Sequence, residues 1–123
     1  MGSSEGGLAA ARYPGNEFKG RVVIGWSCEK GYFTDNPKIG ANKKDPFLNI
    51  VGYKDEYFGV DAVWNQNQNK TGNCAQQMSS DGFDKGKIII YPDGYHNNRE
   101  NQYIVYDILG FLNYWKGRRV LKD

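Results

Sequence analysis

The stretch KIIIYPDGYHNNRENQYIVYDIL, residues Lys87–Leu109, combines dense β-strand formers with the clearest turn signal in the chain. Ile88–Ile90 are β-branched, and such side chains pack well on a pleated sheet but lose rotamer freedom in a helix. Pro92 cannot donate to a sheet hydrogen bond, Asp93 accepts local hydrogen bonds, and Gly94 tolerates positive φ. The stretch therefore predicts a strand that ends in a turn at these three residues.

Apolar residues resume at Tyr103–Tyr106, after a polar run. This pattern predicts a second strand, paired with the first across a loop longer than that of a tight hairpin. Three consecutive isoleucines also predict that the strand at Ile88–Ile90 is buried on both faces. Such burial requires another layer of structure to cover the strand.

The other predicted strands lie in the first half of the chain. Residues Phe18–Trp26 carry an apolar run that predicts a first strand, and a short strand is expected at Tyr32-Phe33. Phe47–Tyr53 and Tyr57–Trp64 predict a strand pair, because apolar and polar residues alternate in the second segment with the period of a half-buried strand.

Two helices are predicted. One lies near residues 108–116, where apolar residues recur at helical spacing and Asp107 can act as N-cap; a strand is the alternative there. The other is a short helix near residues 74–79, with Asn73 as N-cap. Residues 1–16, rich in Gly, Ser and Ala, predict a flexible arm. We therefore expect a single α+β domain over residues 17–123, β-rich and with a mainly antiparallel sheet.

Composition excludes several classes of partner. The 123 residues carry a formal charge of +2 from 16 basic and 14 acidic side chains, too close to balance to favour nucleic acid or an anionic membrane. No apolar run reaches the roughly 20 residues of a membrane span, and the start does not resemble a signal peptide. A cytoplasmic or particle-associated protein is the default expectation.

Residues typical of catalytic and metal sites are few. The chain has one histidine and two cysteines, which disfavours a metal centre, and we predict no cofactor. We identify no Gly-rich phosphate loop, G-x-S-x-G nucleophile elbow or H-E-x-x-H motif. The carboxylates fall in turns and polar loops, where acids are normally solvated. Without an export signal, Cys28 and Cys74 are expected to be separate thiols.

Cys74 and His96 form the one candidate catalytic pair. A thiol at the start of a short helix gains thiolate character, and an imidazole could deprotonate it, as in papain-like and NlpC/P60-like hydrolases. The six residues Cys74–Ser79 resemble the cysteine helix of type VI secretion amidase effectors. That resemblance implies a Cys–His amidase, and we do not assign the chain to the family.

Aromatic residues make up 15% of the chain, and Asn is frequent. Flat amphipathic rings and amide side chains are common on surfaces that bind proteins or sugars. The candidate binding residues are Tyr57, Trp64, Tyr95, Tyr103 and Trp115.

The sequence alone favours a non-enzymatic binding or assembly module that acts through a β-sheet surface and long polar loops, for example as one subunit of a larger particle. Its expected partners are proteins. A small cysteine hydrolase using Cys74 and His96 is one alternative. A carbohydrate-binding module using exposed rings is the other.

Overall fold

The computed structural model describes residues 1–15, 17–30, 37–62, 70–96 and 102–122. Within these ranges the chain forms four strands and three helices. In chain order they are β1 (Gly2–Ser3), α1 (Glu5–Arg12), β2 (Arg21–Ile24), β3 (Phe47–Gly52), α2 (Ala75–Asp81), β4 (Gly86–Tyr91) and α3 (Gln102–Lys122).

The four strands form one sheet in the order β1-β2-β3-β4, and every neighbouring pair is parallel. Ile24 lies beside Ile50, and Ile50 lies beside Ile89, so isoleucines of three strands share one level of the sheet. Since the strands are parallel, their carboxyl ends meet at the same edge.

The prediction of a β-rich domain with a mainly antiparallel sheet is therefore wrong; the arrangement is α/β. Parallel strands cannot be joined by tight hairpins and need long crossovers. Residues 25–46 and 53–85, which we interpreted as loops, extra strands and one short helix, are those crossovers. The continuous apolar runs of β2 and β3, buried at every position, are typical of parallel strands covered on both faces.

Helices cover both faces of the sheet. On one face α1 and α2 pack through Ala11 and Met78 against Val23 and Phe47. On the other face α3 packs against alternate residues of the same strands; the buried residues of this second cluster are Val22, Ile24, Leu48, Ile50, Ile104 and Phe111. The domain thus has three layers around a central sheet.

The isoleucine strand is an edge strand of this four-stranded sheet. Ile88 and Ile89 pack against opposite core clusters and are partly buried, but Ile90 is 43% exposed. The expected complete burial on both faces is wrong, because a strand at an edge has fewer covering neighbours. The predicted turn is present, with the Gly94 N–H donating to the Tyr91 carbonyl at 3.0 Å.

Two predicted strands are absent from the described residues. Tyr103–Tyr106 belongs to α3, and residues 57–62 form turns after β3; Tyr32-Phe33 and residues 63–69 lie outside the described residues. In α3, the helical stripe through Ile104 and Phe111 buries apolar surface on the sheet, and this packing outweighs local β-propensity. The helix predicted near residues 108–116 exists inside this longer α3, and the short helix near 74–79 exists as α2.

The structure has regular elements where we expected an arm. Residues 2–12 form β1 and α1. The buried residues of α1, Gly7 and Ala11, are small and pack closely on one face of the sheet. Gly7 is one of these, since a Cβ there would lie 2.9 Å from the Ile24 carbonyl oxygen. The flexibility predicted for residues 1–16 stays a prediction. Among the described residues, no helix is long and apolar enough to cross a membrane.

Candidate active site

Three polar residues meet at the carboxyl edge of the sheet. Ser4 follows β1, Asp55 follows β3 and His96 follows β4. The Ser4 Oγ lies 2.9 Å from His96 Nε2, and His96 Nδ1 lies 2.8 Å from Asp55 Oδ2. Ligands and reacting groups commonly collect at this edge of parallel sheets, because the loops that follow the strands converge there.

Ser4 sits in a sharp turn between β1 and α1. Its backbone angles, φ 58° and ψ −120°, are strained for a residue with a side chain. Two backbone hydrogen bonds hold the turn: the Ser4 N–H donates to Ile24 O at 2.8 Å, and the Leu8 N–H donates to Ser4 O at 3.0 Å. A Cβ at position 2 would collide with the Gly6 carbonyl, so glycine is required where β1 passes α1.

The residues around this turn, Gly2-Ser3-Ser4-Glu5-Gly6, do fit the G-x-S-x-G pattern of a nucleophile elbow. The expectation that the chain lacks this motif is therefore wrong. The motif lies within a segment that we interpreted only by its Gly and Ser content. A strand-to-helix turn around the motif was the signal that could have identified Ser4.

Asp55 is 2% exposed, in contrast to the solvated position we expected for acids in turns. Its Oδ1 accepts the backbone N–H groups of Tyr57 at 2.8 Å and Phe58 at 2.9 Å, which leaves Oδ2 for His96. These hydrogen bonds compensate the burial of the charge and fix the orientation of the carboxylate.

His96 has a partner on each ring nitrogen. A carboxylate can only accept, so Nδ1 carries the proton toward Asp55, and Nε2 is free to accept the hydroxyl proton of Ser4. The ring also packs against the rings of Tyr57 and Phe58, with centroids 4.9 and 5.6 Å away. A Cβ at Gly25 would approach its Cε1 to 3.4 Å. The imidazole is therefore held on several sides.

The environment raises the pKa of His96 above the ordinary 6.5. The hydrogen bond to Asp55 is the largest cause, and the negative charges of Asp55 and Glu56 act in the same direction. Partial burial lowers the pKa and offsets part of this effect. The site thus favours the imidazolium ion that would form when His96 accepts a proton from Ser4.

Cys74 is not available as a thiol. It forms a disulfide with Cys28, and both residues are buried. The expectation of two separate thiols is wrong, because the fold brings together the segment after β2 and the start of α2. His96, the other member of the candidate Cys–His pair, is hydrogen-bonded to Ser4 and Asp55.

The candidate binding residues do not form one surface. Tyr57 contacts His96, and Tyr95 is exposed beside it in the chain, whereas Tyr103 is exposed on α3. Trp115 packs against the core cluster between α3 and the sheet, and the Lys85 ammonium group lies over its ring. Trp64 lies outside the described residues. Of the four described residues, Tyr57 and Tyr95 lie near the site, and the binding roles of all five stay predictions.

Among the described residues, no group of three or more His, Cys, Asp and Glu side chains is arranged to hold a metal ion. Comparison with known proteins gives no match to a protein-family model, to a curated protein or to a solved structure.

Proposed function

We propose that the protein is a serine hydrolase that transfers an acyl group from a carboxylic ester to water. One observation carries the proposal: the continuous hydrogen-bond chain from Ser4 Oγ through the His96 ring to the buried Asp55 carboxylate. A nucleophile, a base and a group that orients the base are the three parts that acyl transfer through serine requires.

Each residue has one role in the reaction. The Ser4 Oγ attacks the ester carbonyl carbon while its proton passes to His96 Nε2, and Asp55 stabilises the imidazolium. The C–O bond to the alcohol breaks, and His96 returns the proton to the leaving oxygen. Water then attacks the acyl-serine and loses a proton to His96. The bond between the acyl carbon and Ser4 Oγ breaks, His96 returns that proton to Oγ, and the carboxylic acid leaves.

The start of α1 offers a donor for the oxyanion that forms during these steps. Glu5 directly follows the nucleophile and is the first residue of α1. N–H groups in the first turn of a helix have no partner within the helix, and the helix dipole favours negative charge there. In nucleophile elbows the N–H of the residue after the serine contributes to the oxyanion hole.

The order of the three residues along the chain also supports the proposal. Ser, Asp and His follow parallel strands in that order, and the serine lies in a G-x-S-x-G turn. The same order and turn are found in α/β-hydrolases. This similarity is an analogy of arrangement, and it adds to the geometric argument without replacing it.

A fluorophosphonate probe tests the nucleophile directly. Ser4 Oγ should attack phosphorus and displace fluoride, so the intact mass should rise by one adduct and peptide mapping should place it on Ser4. Ser4→Ala should abolish labelling and lower p-nitrophenyl acetate hydrolysis by at least about 10³-fold. Ser3→Ala, which changes the neighbouring serine, is the control and should label normally. Equal labelling of wild type and Ser4→Ala would refute the proposal.

A protein-binding role is the second candidate, and the outer face of α3 favours it. This face exposes large apolar side chains, namely Tyr103, Val105, Tyr106, Leu109 and Leu112. Contiguous exposed apolar surface is common where proteins bind one another. Light scattering over a range of concentrations should then show a mass above that of one chain, and Leu109→Glu should reduce it. A concentration-independent mass of 13.9 kDa would argue against self-association.

A further inference from the structure

Glu56 and Asp55 are neighbours in the chain, and both bind His96. Asp55 binds the ring, whereas Glu56 Oε1 accepts the backbone N–H of His96 at 2.9 Å. Two consecutive carboxylates thus hold one histidine, one through its side chain and the other through its main chain. The triad chemistry described above uses only the first of these contacts.

The main-chain contact extends a series of hydrogen bonds between the loops after β3 and β4. The Lys54 N–H donates to the Gly94 carbonyl at 2.9 Å, and two residues farther along each loop the His96 N–H donates to Glu56. The first bond aligns the loops where the strands end. The second determines where the His96 backbone lies, and therefore from which point its ring reaches toward Ser4.

The Glu56 carboxylate also acts on His96 through its charge. Among the described residues, the groups around the ring are the Ser4 hydroxyl just before α1, the Gly25 backbone after β2, and four residues after β3, namely Asp55, Glu56, Tyr57 and Phe58. Of these, Asp55 and Glu56 carry negative charge. Both favour the protonated ring, but Glu56 is exposed, so its effect is screened more strongly by solvent and salt.

We propose that Glu56 is a positioning residue of the Ser4–His96–Asp55 site, which anchors the His96 main chain and stabilises the protonated imidazole through its charge. This role rests on the proposed hydrolase function. The two parts of the role are separable, because an amide oxygen can accept the same N–H without carrying the charge.

Two substitutions separate the anchor from the charge. Glu56→Gln should keep the plateau of kcat close to wild type. It should move the rise of kcat/KM to lower pH, because loss of the neighbouring negative charge lowers the pKa of His96. Glu56→Ala should lower the plateau of kcat by at least about fivefold, with KM for p-nitrophenyl acetate little changed, because a small displacement of the base slows proton transfer. Glu17→Gln removes a charge from another exposed glutamate and is the matched control.

Proton NMR gives a readout that does not depend on turnover. His96 is the single histidine of the chain, so its ring Cε1 proton should give one titrating signal. The midpoint should fall in Glu56→Gln and stay unchanged in Glu17→Gln. If hydrolysis depends on Ser4 but both Glu56 variants match Glu17→Gln in plateau and midpoint, the role of Glu56 alone is overturned. If no hydrolysis depends on Ser4, the positioning role falls together with the proposed function.

Discussion

At the scale of single residues, His96 is the point where the polar contacts of the site converge. Its ring bonds Ser4 and Asp55, its main chain bonds Glu56, and aromatic rings limit its rotation. A histidine held in this way has one tautomer and one orientation, which is what a general base needs. Its titration should therefore control both activity and part of the stability.

We predict that Asp55→Asn lowers the kcat plateau by about 10³- to 10⁴-fold. The Asn oxygen can still accept the N–H groups of Tyr57 and Phe58, which leaves its NH₂ group facing His96 Nδ1. That NH₂ donates, so the ring proton moves to Nε2 and the ring can no longer accept from Ser4. Asp61→Asn, an exposed acid after the same strand, should be close to wild type. A kcat of Asp55→Asn within tenfold of wild type would contradict this role.

The raised pKa of His96 predicts a pH dependence of stability. Folding raises this pKa above the unfolded value of 6.5, so the stabilisation is fully present below that value and is lost as pH rises through the folded pKa. Urea unfolding of the wild type should show a free energy that declines across this window. Asp55→Asn, which removes the largest cause of the shift, should flatten the decline; an equal slope in both proteins would contradict the assignment.

At the scale of elements, α1 begins directly after the proposed nucleophile Ser4 and is held at both ends. Its start is the strained Ser4 turn, and its end is bound by Arg21 of β2, which is buried. The guanidinium donates to Ala10 O at 2.6 Å, to Tyr13 O at 2.9 Å and to Gly15 O at 2.9 Å. Carbonyls at the end of a helix lack partners within it and attract positive charge. This contact therefore fixes α1 against the sheet.

We predict that Arg21→Met lowers the free energy of unfolding by about 2–4 kcal/mol, because three carbonyls lose their donor while the apolar part of the side chain is kept. Arg21→Lys should recover only part of the loss, since an ammonium group lacks the planar fork that reaches several acceptors. Arg12→Met, at an exposed position in the last turn of α1, is the control for loss of charge. Urea denaturation measures all three, and equal effects at the two arginines would refute the anchor.

At the scale of the whole molecule, one disulfide joins the two long crossovers. It links Cys28 after β2 to Cys74 before α2, across 46 positions of sequence. Asn49 in β3 supports the same junction, with its side chain bonded to Val23 O, Trp26 O and the Cys74 N–H. A Cβ at Gly72 would lie 3.2 Å from Phe58 O, so the segment before Cys74 packs on the turn that orients Asp55.

We predict that the Cys28→Ser/Cys74→Ser double variant loses about 2–4 kcal/mol of unfolding free energy, since the cross-link restricts the unfolded chain. Wild type that has been unfolded, reduced and refolded under reducing conditions should match the variant, because these are the only cysteines of the chain. Denaturant unfolding with and without reductant measures both. A reductant effect on the double variant, or none on the wild type, would contradict the structural role of the bond.

Much of the local structure could be predicted from sequence. The apolar runs of β2, β3 and β4, the turn after Tyr91 and the helical stripe near residues 108–116 are short-range patterns, and each has a counterpart in the structure. The wrong strand prediction at Tyr103–Tyr106 also came from a short-range pattern, because β-branched and aromatic residues favour strands locally. In the structure these residues belong to α3, where packing against the sheet outweighs that preference. The G-x-S-x-G motif was present in the sequence and was missed.

The direction of the strands and the assembly of the site depend on tertiary structure. Side chains alternate between the two faces of a strand whether its neighbours are parallel or antiparallel. The continuous apolar runs of β2 and β3 indicate burial on both faces, and this burial does not by itself determine the direction of the neighbouring strands. Ser4, Asp55 and His96 lie on three distant segments, and Asp55 reads as an ordinary turn acid until the fold buries it. The sequence by itself determined where strands and turns could form and which side chains were available. The parallel sheet decided which of them meet, because it brings the carboxyl ends of β1, β3 and β4 to one edge.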